Sequence, residues 1–130
     1  MSVHQRGLKP KLRADQEPLT KVPRPPAHLD HYGVAEWKKI MPTLVARKII
    51  CAADLSLVAT YCQMIGIVAQ IQHERNQAGG IIDVKLFGVM NRAAQTARQI
   101  AANLGLDPVS RARMGTVAAD DGGYESPLDA

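Results

Sequence analysis

Between Asp30 and Leu104 the apolar residues recur in three blocks, each at helical rather than alternating spacing. In the first block Asp30 offers an N-cap, and Val34, Trp37, Ile40, Met41 and Leu44 share one face, with Glu36, Lys38 and Lys39 opposite. Pro42 lies inside this block. It lacks a backbone donor and disfavours helical geometry at Met41, so a kink is expected there, with the apolar spacing continuing to Leu44. The second block starts behind Asp54, which is read as its cap, and runs to about Asn76, where Gly79-Gly80 stops it. Its two stripes are Leu55, Val58, Cys62, Ile65 and Ala69, and Leu57, Tyr61, Met64, Val68 and Ile71. At ~100° per residue they merge into an arc over half the helix surface or more. Ser56, Thr60, Gln63, Gln70 and Glu74 fill the narrow remainder.

An arc that wide predicts a helix packed against its own domain and against another subunit; a central helix in a monomeric bundle is the competing reading. The third block predicts a helix from Val89 to Leu104 with a small-residue stripe of Ala93, Ala94, Ala97, Ile100, Ala101 and Leu104, ended by Gly105. "IIDVKLF", 81–87, reads as a short strand, a hairpin arm or a loop. Prolines at 10, 18, 23, 25 and 26 make residues 1–29 a mobile or extended arm, mostly disordered. After Gly115 no periodicity remains, and 115–130 is expected to be a disordered tail. The fold class is therefore mainly α, with a helical domain at 30–114. Its core is expected at Trp37, Leu44, Leu55, Val58, Tyr61, Ile65 and Leu104.

Composition supports helices: 46% of residues are hydrophobic but only 4% aromatic, so the core is built from aliphatic side chains and alanine. Charge sharpens the picture more. The net +4 conceals an arm, 1–26, with six Lys or Arg against two acids, and a tail, 115–130, with four acids and no base. Arg6, Lys9, Lys11, Arg13, Lys21 and Arg24 would follow a phosphate backbone without reading bases. Cys51 and Cys62 fit a reduced, cytoplasmic setting as small hydrophobes. The N-terminus has no apolar leader core, and no run approaches the ~18 apolar residues of a membrane span. A soluble protein that is not exported is expected.

Catalytic patterns are sparse. Gly79-Gly80 has no following Lys-Ser or Lys-Thr to hold phosphates. His28, His31 and His73 stand at no zinc-finger spacing from the cysteines, and the carboxylates are scattered except for Asp120-Asp121. The expectation is a non-enzyme without cofactor or metal. "RQIAANLGLDPVSRARM" invites a helix-turn-helix reading of 93–114, since Ala101 and Gly105 suit a close helix crossing. Asp107 and Pro108 can start a second helix, but only about seven residues precede Gly115, and Val109 and Met114 are its one apolar pair.

Four fragments in order carry a family resemblance: "PRPPAHL", "EWKKIMPTL", "ADLSLVATYC" and "LGLDPVSRARM". Across about residues 22–114 the chain resembles the small subunit of phage terminase. It departs from that pattern in "DVKLFGVMNRAAQ", where the family often has a longer polar stretch with Asn-Pro. The resemblance implies a non-catalytic subunit that forms a ring-like homo-oligomer in the host bacterial cytoplasm. It would bind double-stranded viral DNA at the packaging-initiation site and recruit or regulate the large ATPase and nuclease subunit, with no membrane partner. On this reading the arm, with Arg111 and Arg113, would meet DNA, and Met64, Val68 and Ile71 would lie between subunits. A small helix-turn-helix transcriptional regulator using 93–114 is the alternative, and an oligomerising adaptor a third class.

Overall fold

The computed structural model describes residues 17–81, 83–107 and 112. Three α-helices follow in order, α1 (His31–Ala46), α2 (Leu55–Gln77) and α3 (Val84–Asn103), with a single 3-10 turn at Ala52–Asp54 before α2. No strand occurs among the described residues. The longest helix, α2, lies in the middle and packs against both α1 and α3. The mainly α expectation holds.

Local chemistry explains each start. Asp30 sits in extended backbone at the head of α1, and its carboxylate accepts the Gly33 N–H at 2.7 Å. Asp83 does the same for α3, accepting the Lys85 N–H at 2.7 Å. That cap corrects the reading of 81–87 as strand or loop: Val84–Phe87 is the first turn of α3, which begins five residues before the expected Val89. The apolar run masked an Asp that could stop it and start a helix. Asp54 corrects a second expectation. It precedes α2, but its carboxylate turns back to accept the Cys51 N–H at 3.0 Å, closing the 3-10 turn.

Pro42 does not divide α1, and Met41 stays helical and fully buried. The proline ring faces outward while Met41 and Leu44 fill the core, and their packing outweighs the local preference of a pre-proline residue. The core joins Trp37, Ile40, Met41 and Leu44 of α1, Ile50, Val58 and Cys62, and Ala97, Ile100 and Leu104 from the end of the chain's helical part. Of the expected core, Trp37, Leu44, Val58, Tyr61 and Leu104 are buried, while Leu55 and Ile65 are half-buried at its margin.

The part of the arm from residue 17 onward is docked rather than loose. Leu19 donates its N–H to the Ile50 carbonyl at 2.9 Å, and the Trp37 indole Nε1–H donates to the Pro23 carbonyl at 3.0 Å. Leu29 is buried and Leu19 packs on the core. Prolines rule out helix and strand here, but they do not prevent a segment from lying extended against an apolar wall. Residues 1–16, most of 108–114 and the tail fall outside the described residues.

By length and composition the stretch Ala52–Gln77 could cross a membrane, with an 18-residue window of mean hydropathy 1.5, which counting uninterrupted apolar residues did not reveal. Only 28% of that window is buried among the described residues, and Leu57, Met64, Ile65 and Val68 of α2 stay half-buried beside its contacts with α1 and α3.

Candidate nucleic-acid interface

The three helices end in the same way, and the exception marks the site. At each C-terminus two backbone amides reach back to carbonyls of the last turn: Gly79 and Gly80 to Asn76 and Arg75, Gly105 and Leu106 to Ala102 and Ala101, Lys48 and Ile49 to Val45 and Leu44. This motif needs one residue in the left-handed region, normally glycine. Gly79 (φ 74°) and Gly105 (φ 68°) supply it for α2 and α3, but α1 uses Lys48 at φ 56°. A side chain in that conformation costs about 1–2 kcal/mol. Lys48→Gly should therefore stabilise the fold by about 0.5–1 kcal/mol, since glycine's larger unfolded-state entropy offsets part of the relief. A higher urea midpoint at unchanged slope is the expected reading, and a lower one would refute the strain.

Two distant segments meet at this turn. The Leu19–Ile50 hydrogen bond brings the arm's emergence point to the end of α1, where Glu17, Leu19 and Thr20 share a groove with Val45 and Lys48. From the other side, Arg47 Nη1 donates to the Gly105 carbonyl at 3.2 Å, anchoring the start of the closing segment.

Of the basic residues expected to contact phosphate, Lys21 and Arg24 are exposed on the docked segment. Arg6, Lys9, Lys11, Arg13, Arg111 and Arg113 lie outside the described residues. The structure adds Lys39, Arg47 and Lys48, all exposed, which sequence reasoning treated as a solvated face or passed over. Lys39 and Arg47 line a groove of about 320 Å³ with Glu36, Thr43, Tyr61 and Leu106. The available signal was the Arg47-Lys48 pair where a helix-ending glycine would be expected. The first half of the proposed helix-turn-helix, from Ala93, is the end of the long core helix α3, with Ala93, Ala97 and Ile100 buried. Its second half falls outside the described residues. For the expected subunit contacts, Met64 and Val68 are half-buried, whereas Ile71 is already buried within its own chain.

Beneath the groove Tyr61 donates its hydroxyl to Glu36 Oε2 at 2.9 Å. Burial, then the Glu36 hydrogen bond and charge, push the Tyr61 phenol well above its usual range. Burial, and secondarily Glu36, push the neighbouring Cys62 thiol up to about 12. Both groups hold their protons more tightly folded than unfolded, so their contribution is complete below pH 9 and is lost as pH rises towards 12. The urea midpoint should fall over that interval, less steeply in Cys62→Ala. At pH 8 Cys62 should resist alkylation until the protein is unfolded; rapid native labelling would contradict its burial.

No group of three or more His, Cys, Asp or Glu side chains among the described residues could hold a metal ion. A family model described as phage terminase, small subunit, matches residues 33–121, more than half of the chain. Neither the curated proteins nor the solved structures yielded a match.

Proposed function

Because the chain belongs to the phage terminase small-subunit family, we propose that it is a non-catalytic packaging component that binds double-stranded viral DNA. In this role it assembles with copies of itself in the host cytoplasm and delivers the DNA to the large ATPase and nuclease subunit. One observation supports the DNA-binding part: Leu19, which follows the cations of the basic arm, and Gly105, which precedes Arg111 and Arg113 in sequence, are both hydrogen-bonded beside the Arg47-Lys48 turn. On this reading cations from both ends of the sequence contact one stretch of phosphate backbone. Lys21, Arg24, Lys39, Arg47 and Lys48, all exposed, extend that basic surface across the described residues.

The reading accounts for Lys48. Glycine would relieve the backbone strain but remove a charge from the centre of the basic surface. Lysine and arginine bind phosphate through counterion release, so removing one such cation lowers the slope of log K against log salt by about 0.9. The test is salt-dependent binding of a duplex carrying the packaging-start region. Deleting residues 1–16 should reduce the slope by about 3.6 if all of its four cations, Arg6, Lys9, Lys11 and Arg13, take part. The cut belongs at residue 16, since a longer deletion would also remove the Leu19 and Pro23 hydrogen bonds to the core. Lys39→Ala and Lys48→Gly should each reduce the slope by about 1. Unchanged slopes in all three variants would refute this surface.

A further inference from the structure

We propose that the start of α3 forms a knob that seats in the groove between α2 and α3 of a second copy of this chain. The inference rests on the self-assembly in the functional reading above and names the surfaces that perform it. At the turn between the helices, Ile81 is 77% exposed, Val84 85% and Phe87 50%. Val84 and Phe87 are three positions apart, so they stand on one side of α3 as a single apolar projection. Large apolar side chains exposed together mark a surface that another surface covers.

The complementary feature is on the same molecule. Tyr61, Ile65 and Val68 of α2 and Ala94, Ala97 and Ala101 of α3 line an apolar groove of about 200 Å³. The three alanines keep it open, and Val68 and Ile65 are half-buried, with nothing among the described residues covering them fully. Val84, Phe87 and Ala94 follow one another at helical spacing, so knob and groove lie along the same strip of α3. Phe87 and Ala97 are about 15 Å apart along the axis, at 1.5 Å per residue. No chain can fold its own knob into a groove on the same rigid helix; a second copy offset along that helix can.

Charge fits the same occupant. Arg98 stands at the groove and Asp83 next to the knob, so an inserted knob carries an anion towards the groove's cation. A lipid surface would match the apolar residues but would gain nothing from this opposed pair. The arrangement would also cover Ile65 and Val68 of α2, which the described residues leave half-buried.

The experiment is light scattering coupled to size-exclusion chromatography on the full chain at micromolar concentration, with circular dichroism as the check on folding. The unaltered protein should run at two or more times the single-chain mass. Phe87→Asp should run as one chain with unchanged helicity, because Phe87 is exposed and its removal costs the core nothing. Ala94→Glu, which fills the groove with charge, should do the same. Mixing the two variants should restore a complex, since the first retains a groove and the second a knob. A single-chain mass for the unaltered protein overturns the proposal, as does Phe87→Asp at the original mass. Loss of assembly in Phe87→Asp but not in Ala94→Glu assigns the contact to knob against knob and overturns it too. Single chains that instead partition onto phosphatidylcholine vesicles would assign the face to lipid. Failure here leaves the DNA reading standing if the salt slopes still change in the arm and Lys48 variants.

Discussion

Trp37→Ala should cost about 3–5 kcal/mol of folding stability, the range for truncating a buried aromatic side chain. Trp37 is 1% exposed and sits where Ile40, Met41 and Leu44 meet the middle helix. Its loss opens a cavity that the close-packed surroundings collapse into only partly. A small domain has roughly 5–15 kcal/mol in total, so the variant should be far less stable and measurably unfolded at modest denaturant. The indole also fastens the arm through Nε1–H to the Pro23 carbonyl. Trp37→Phe separates the two roles: it keeps most of the packing and gives up the hydrogen bond. Its midpoint should fall less, while proteolysis between residues 17 and 29 should accelerate. Equal protection of that segment in Trp37→Phe and the unaltered protein would show that the hydrogen bond does not hold the arm.

Gly66→Val is the second large effect, with an expected loss of about 2–4 kcal/mol from overpacking together with a lost helix cap. Gly33 of α1 and Gly66 of α2 meet where the helices come closest. A Cβ at Gly66 would lie 2.7 Å from Asp30 Oδ1 and 3.3 Å from the Gly33 nitrogen. That oxygen is held in place, because it accepts the Gly33 N–H at 2.7 Å and caps α1. A side chain at 66 must therefore expel the cap or spread the helices. Gly66→Ala tests the sign at smaller scale. Alanine gains about 1 kcal/mol of helix propensity over glycine, and a lost cap costs about as much, so the net change should be small. Combining Gly66→Val with Asp30→Ala should cost less than the sum of the two, because the cap can be lost only once. Strict additivity would mean that Asp30 is not what the valine displaces.

Sequence reading recovered the helices where a local signal agreed with the period. Asp30, followed by Val34, Trp37, Ile40, Met41 and Leu44, gave α1 to within a residue or two of its observed limits. Gly79 and Gly105 gave the ends of α2 and α3. It missed the first turn of α3 because "IIDVKLF" holds both an apolar run and a capping Asp83, and the run carried the reading. It took all of 1–29 as a loose arm because proline forbids regular structure, a rule about local geometry that is silent on docking. It grouped Ile71 with Met64 and Val68 because all three share a stripe; that stripe is half-buried at Leu57, Met64 and Val68 but buried at Tyr61 and Ile71, according to what packs beside each residue.

By itself the sequence determined the helical class, the caps and stops, the basic bias of the arm and the family to which the chain belongs, because each of these depends on residues close together in the chain. What the tertiary structure decided depends on residues far apart. Only packing sets Asp30 against Gly66 and brings Leu19 to Ile50 and Arg47 to Gly105, segments up to 58 positions apart in the chain. Only packing, too, divides the wide apolar arc of α2 into a part buried by α1 and α3 and a part left half-buried. Periodicity shows that a face is apolar; which neighbour covers it is settled by how the helices cross.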